Sequence, residues 1–299
     1  MENKFKSLTI FEFQNRFPDN DACYEYLIKL KWKDGFVCPF CGHTHYCKSK
    51  RKYDRQCTRC HRSVSPTSQT MFHQLKFPIL KAFYIVYYVS TNKKGITSTE
   101  LSRKLGLRQK TCWSFKQKVM KAMKSSGNNK IEGKAEVDET VVGGQEEGVK
   151  GRKNNRKKLI VFAIERKSKG VSRLYGKEIK HSNAKELGEF MKGTIEKNAV
   201  IKTDKWKGYQ PLITDFPNLI QVDSGKKGNN FPDLHRIIMS FKGWLRGIHH
   251  HVDHLQAYID EYCYRFNRNF MSNKIFDNLL CRMVNEEPCL LKNLYVLNA

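Results

Sequence analysis

Two groups of residues in this chain have the types and spacing that chemistry needs. Cys38 and Cys41 in "CPFC" and Cys57 and Cys60 in "CTRC" form two CxxC pairs separated by fifteen residues. Each pair turns two thiolates toward one point, and the intervening hairpin closes a tetrahedral four-thiolate site of the kind that holds zinc. Gly42 suits the turn after the first pair, while His43, His45 and Cys47 stand close by as competing donors. A segment this small folds only with its metal, so the zinc is structural. The second group is acidic. Asp138 lies in "KAEVDETVVGG" and Asp204 in "VIKTDKWKGY", each on a strand-like run. Alternation puts Glu136 and Asp138 on one strand face and Val137 on the other. Taken alone, either aspartate would also serve as a turn or cap residue.

The charge of the chain names the class of partner. Lys and Arg number 55 against 29 Asp and Glu in 299 residues, a formal charge of +26. Such an excess calls for a polyanion, most commonly nucleic acid, with an anionic membrane as the rival. No apolar run of about 18 residues or more occurs, and the opening "MENKFKSLTIFEF" is too polar for a signal peptide. The expectation is a soluble cytoplasmic protein with no membrane partner. Cys23, Cys47, Cys112, Cys263, Cys281 and Cys289 are scattered and expected to be reduced rather than paired.

"GITSTELSRKLGLRQKTCWSFKQKVMKAM" predicts two helices around Gly106, the first capped by Ser98 and the second starting near Arg108. Two short helices around a glycine turn, the second rich in Arg, Lys and Gln, suit a DNA-binding helix-turn-helix. Arg108, Gln109, Lys110 and Lys116 would lie on or near its groove-facing side; an ordinary helical hairpin is the plainer alternative. Lys150, Arg152, Lys153, Arg156, Lys157 and Lys158 form a basic segment suited to phosphate contacts, or simply to solvent. His249, His250, His251 and His254 suit a loop meeting the DNA backbone better than a second metal.

These residues need elements to hold them. Residues 1–30 predict an N-terminal helical segment, 31–76 the zinc ribbon, 77–128 the helix-turn-helix domain and 129–299 a mixed α/β domain. Within the last, "KAEVDETVVGG", "KKLIVFAIERK", "VSRLYGKEI", "NAVIKTDKW" and "LIQVDSG" read as strands. "SNAKELGEFMKGTIEK" reads as a helix capped by Ser182 or Asn183, residues 234–246 as another, and "HLQAYIDEYCYRFNRN" as the last.

Strand, helix, strand and final helix in this order, with an aspartate on each of two strands, resemble a ribonuclease-H-like core. With the ribbon and the helix-turn-helix, the chain resembles bacterial insertion-sequence transposases of the DDE type. More narrowly, it resembles the group whose catalytic domain ends in "HR…S..K.WL.G.HH" and "LQAY..E…RFNR". Those motifs are carried here by His235-Arg236, Ser240, Lys242, Trp244-Leu245, Gly247, His249-His250, Leu255 to Tyr258, Glu261 and Arg265 to Arg268. "VDET.VGG" around Asp138 and "TD.W.GY" around Asp204 match as well.

The resemblance implies an α+β multidomain protein that binds double-stranded DNA at the ends of a mobile element, as a homo-oligomer, and cleaves and transfers strands. It implies Mg or Mn held by Asp138, Asp204 and a third ligand from the following helix. In many such enzymes that ligand is a Glu seven residues before a Lys or Arg. Here His235 stands seven before Lys242, two helical turns along one face, with Arg246 a turn further on. The resemblance thus gives Asp138, Asp204, His235 and Lys242 as catalytic and Arg246 on DNA. Asp233 and Glu261 are the other candidates for third ligand. A DNA-binding regulator without chemistry and a structure-specific nuclease are the alternative functions.

Overall fold

The computed structural model describes residues 7–143, 157–168, 170–225, 228–248 and 253–289. The chain forms two compact units, one of residues 1–123 with 270–299, the other of residues 124–269.

In the first unit, α1 (Ile10–Arg16) opens with a capping box between Thr9 and Glu12, and α2 (Asn20–Lys31) with Asp19 as its cap. The ribbon follows as a three-stranded antiparallel sheet of β1 (Tyr46–Lys48), β2 (Arg55–Cys57) and β3 (Ser63–Val64). Next, α3 (Ile79–Thr91) buries Ala82, Phe83, Ile85 and Val86. Then come α4 (Ser98–Leu105) and α5 (Gln109–Met123). The cap of α4 is Thr97, one residue before the expected Ser98; its hydroxyl accepts from the Glu100 amide. Gly106 ends α4 at φ 58°, the left-handed conformation that glycine adopts without steric cost.

The second unit carries a five-stranded sheet of β4 (Lys134–Val142), β5 (Lys158–Lys167), β6 (Gly170–Ile179), β7 (Val200–Thr203) and β8 (Leu219–Gln221). Their spatial order is β6-β5-β4-β7-β8. The pairs β6-β5 and β5-β4 are antiparallel, whereas β4-β7 and β7-β8 are parallel. The crossover into β7 is α6 (Ala184–Thr194), capped by Asn183. Its Leu187, Phe190 and Met191 share a core with Val137, Val161, Ala163, Ile201, Tyr209 and Leu212 on one sheet face.

The opposite face takes α7 (Pro232–Ile248), where Phe241 meets Phe162 of β5 with ring centroids 5.2 Å apart. α8 (Leu255–Asn267) lies over β6. Gly176 of β6 permits that approach: a methyl group there would stand 2.6 Å from the Phe162 ring and 2.7 Å from Ile259 of α8.

The chain then returns to the first unit. A further helix, α9 (Ile275–Asn285), buries Phe276, Leu279, Leu280 and Met283 against α2, α3 and α5. The expected single domain over 129–299 therefore ends near 269. The expectation passed over α9, whose apolar residues are matched to a floor supplied by helices from the first unit's N-terminal part, on the other side of the inserted second unit.

Candidate active site and zinc centre

The four ribbon cysteines converge, with all four sulfurs within 4.8 Å of one another. Two matching turns place them. In the first, the Gly42 amide donates to the Cys38 carbonyl, 2.9 Å; in the second, the His61 amide donates to the Cys57 carbonyl, 3.0 Å. Both turn residues are left-handed, Gly42 at φ 72° and His61 at φ 57°. Burial works against the Cys57 thiolate, but the amides of Cys60 and Arg59 stabilise it and hold its pKa down to about 7. Trp32, Phe36 and Val64 form the small apolar base beneath Cys38 and Cys57. A four-thiolate cluster, with Cys38 and Cys57 buried and Cys41 and Cys60 half-buried, fits zinc, and the four cysteines form a zinc-binding site. His43 is turned to the Thr58 hydroxyl and Cys47 to the Gln56 carbonyl, so neither joins the cluster.

In the second unit, parallel pairing sets Val137 of β4 beside Thr203 of β7, which brings the next residues, Asp138 and Asp204, together. Strand β7 stops there, and the side of β4 beyond Val137 is open. Glu139, on the opposite parity from Asp138, reaches into the same space. Carboxylate oxygens of Asp138, Glu139 and Asp204 lie within 4.8 Å of one another. Sequence reasoning missed Glu139 because alternation assigned it to the far face; the signal available was the adjacent acidic pair Asp138-Glu139 within one strand. The Glu139 amide donates to Asp138 Oδ1, 2.8 Å, and the Trp206 amide to Asp204 Oδ1, 3.1 Å.

The "TD.W.GY" motif acquires a structural meaning here. Trp206 Nε1 donates to the Ser182 carbonyl, 2.7 Å, and Gly208 lies where a methyl group would come within 2.7 Å of that same oxygen. Tyr209, fully buried, donates its hydroxyl to Glu139 Oε2 at 2.9 Å. Burial, with Glu139 and Asp138 adding to it, raises the Tyr209 pKa well above the ordinary phenol value, so the hydroxyl stays a donor.

His235 sits on the α7 face turned to the sheet. Its Nε2 is 3.3 Å from Asp138 Oδ2, and that nitrogen is buried without a hydrogen-bond partner. It approaches Asp138 without joining the three-carboxylate cluster itself. The ring rests on Gly228, where a methyl group would lie 2.1 Å from Cε1. Lys242 is half-buried; burial lowers its pKa, Arg246 lowers it further, and Asp138 raises it. The two other candidates for third ligand are engaged elsewhere. Asp233 binds Arg166 at 3.0 Å and Arg236 at 2.9 Å, and the buried Glu261 receives Arg265 at 2.8 Å.

Of the residues expected on DNA, Arg108, Gln109 and Lys110 are exposed at the start of α5, with Gln109 Nε2 donating to the Ser98 hydroxyl, 2.7 Å. Lys116 corrects the expectation: it is 1 % exposed and donates to the Ile96 carbonyl, 2.7 Å. Position 116 lies on the packed face of α5 beside Cys112, Phe115 and Val119, so it cannot face a groove. Lys157, the residue before β5, is half-buried, and Arg246 is exposed. Arg152, Lys153 and Arg156, like His249, His250 and His251, lie outside the described residues. No described helix is long and apolar enough to cross a membrane.

Comparison with known proteins agrees with this geometry. Residues 130–267 match the ISXO2-like transposase domain and residues 18–63 the transposase zinc-ribbon domain. No curated protein matches the chain. Among solved structures, one described as a pre-cleavage Mos1 transpososome is similar at 11 % identity and a TM-score of 0.29, over 69 % of this chain and 78 % of that one. That likeness is too slight to argue from, and the assignment rests on the two domain matches. They cover the zinc site and the carboxylate centre alike, and the chain belongs to the DDE-type insertion-sequence transposases with an N-terminal zinc ribbon.

Proposed function

We propose that this DNA transposase cuts at the ends of a mobile element and transfers the freed strands to a target, at a centre built on Asp138, Asp204 and His235. The observation that carries the reading is the meeting of the three carboxylates within 4.8 Å, with His235 Nε2 aimed at Asp138 from 3.3 Å. Clustered carboxylates repel one another unless cations sit among them, and a buried imidazole nitrogen without a hydrogen-bond partner is suited to coordination, so the donor set fits Mg or Mn. Such ions, when bound, activate a water or 3′-hydroxyl and stabilise the leaving oxygen.

The residues of the chain supply the rest. His235 takes the place that a Glu fills in many DDE enzymes, giving a variant with two aspartates and one histidine; Glu139 is available as a further oxygen donor. Lys242, on the His235 face of α7, holds a phosphate beside the reacting strand. The sheet order and the mixed pairing support a ribonuclease-H-like reading of the second unit. The sequence of α4, Gly106 turn and α5 supports a helix-turn-helix, with Arg108 and Lys110 on DNA. Lys157 and Arg246, with the basic segment around Arg152, Lys153 and Arg156, add phosphate contacts. Cutting both ends of one element calls for two copies of the chain on the DNA.

The test is Asp138→Ala and Asp204→Ala on a plasmid carrying the element. Both should abolish cleavage while retaining DNA in a gel-shift assay, because the basic surfaces are untouched. Wild-type cleavage by either variant would sink the proposed centre.

A further inference from the structure

Two residues before Asp138 on β4 stands Glu136, and two residues before His235 on α7 stands Asp233. One guanidinium joins them. Arg166 of β5 donates through Nη1 to Glu136 at 2.9 Å, and its Nη2 lies 3.0 Å from Asp233. On the sheet, Arg166 pairs with Lys134 and is therefore a diagonal neighbour of Glu136 on the α7 face. A bulge at Glu165/Arg166 in the pairing with β6 bends the strand at this point. The side chain of Glu136 is only 4 % exposed and that of Asp233 19 %, so Glu136 depends on this guanidinium for compensation and Asp233 draws on it from the inner side. Glu136 holds the Arg166 pKa up. Asp233 also receives Arg236, 2.9 Å, which completes its shell on the solvent side.

We infer that Arg166 is a positioning residue: by gripping Glu136 and Asp233 at once, it holds the start of α7 against β4 and so fixes His235 beside Asp138. The inference rests on the reading of His235 as a metal ligand. A fork is needed because two carboxylates on different elements must be held in one plane. Lysine, a point charge, satisfies one of them. It would stay with Glu136, the more deeply buried partner, and release Asp233. Partners outside the ligand shell that orient a ligand typically change metal affinity or activity by about 10- to 100-fold when removed.

The experiment is a titration of the full-length, DNA-free protein with Mn2+ alone, read by calorimetry, alongside thermal melting. Asp233→Asn and Arg166→Lys should each weaken Mn2+ binding by about tenfold. Glu136 stays paired in both, so melting should move by no more than a few degrees. The decisive comparison repeats Asp233→Asn in a His235→Ala background. If the clamp acts through His235, the second substitution adds little to the first. An equal tenfold loss in both backgrounds overturns the inference and makes Asp233 act on metal by itself. Wild-type affinity in Asp233→Asn, with a weakened His235→Ala, overturns the clamp and leaves His235 a ligand. Wild-type affinity in His235→Ala overturns the reading of His235 and the clamp with it.

Discussion

The hydroxyl of Tyr209 donates to the carboxylate of Glu139 across 2.9 Å, joining the "TD.W.GY" and "VDET" segments where β4 has run past the end of its parallel partner β7. With one oxygen so held, the Glu139 carboxylate is steered toward Asp138 and Asp204. Tyr209→Phe keeps the ring in its core and removes the donor. The expected result is Mn2+ affinity lower by about tenfold, with a stability loss of about 1–3 kcal/mol from the buried charged hydrogen bond. Calorimetric titration and denaturant melting check the two numbers separately.

His235 and Gly228 should give one phenotype. His235→Ala removes the nitrogen donor, and cleavage of element DNA should fall in Mg and in Mn. Gly228→Ala leaves the histidine in place but sets a methyl group 2.1 Å from its ring, at a backbone φ of 76°. The imidazole must move, and activity should fall with it. His235→Glu should recover some activity in Mg, because oxygen suits the harder ion. Cleavage assays in each metal read this, and near wild-type rates for His235→Ala in both would make the histidine a bystander.

Arg108 and Lys110 should separate from Lys116. Alanine at 108 or 110 removes an exposed cation and should weaken binding to element ends more than to random DNA, if either reads bases. Lys116→Met should leave discrimination unchanged at fixed salt and show up in melting instead, because the Ile96 carbonyl loses its donor. Parallel binding titrations at one ionic strength distinguish the two.

The ribbon should carry one zinc per chain, found by metal analysis of protein purified without added zinc. His61→Gly should stabilise it. His61 holds a φ of 57° in the position that Gly42 fills in the first turn, and a non-glycine residue there costs about 1 kcal/mol. Zinc-release kinetics with a chelator should slow in the variant.

Asp260 gives the pH prediction. Burial raises its pKa to about 6, partly offset by the Gln256 amide, which donates to it at 2.9 Å. The folded form therefore holds this proton more tightly than the unfolded chain does. Its contribution to stability is full below the unfolded value near 3.8 and is lost as pH rises through about 6. Asp260→Asn should raise the melting temperature above pH 6 and make little difference near pH 4, as read by melting across that range.

Much of this was legible along the chain. The CxxC spacing and the paired motifs around Asp138, Asp204 and His235 are local patterns, and local spacing survives folding. The aspartate pair needed only two neighbouring strands. What escaped notice was set by distance or by edges. Glu139 joins the centre because β7 ends, a property of a different segment. Lys116 is buried because Ile96 supplies a carbonyl twenty positions earlier, and periodicity alone reads a lysine as exposed. Asp233 and Glu261 looked like ligands until Arg166 and Arg265 claimed them.

The return of α9 has a consequence for how the protein is made. Phe276 sits among Phe13, Phe17 and Phe83 with ring centroids 5.6, 5.8 and 6.3 Å away. Asp277 binds Arg16 and Tyr26 at 2.7 Å each. The catalytic unit is thus an insertion within the other one. On the ribosome, residues 124–269 are complete before the segment that finishes the N-terminal unit has been synthesised. A fragment cut near residue 125 would leave those phenylalanines uncovered, so a free-standing piece of the first unit has to bring α9 along.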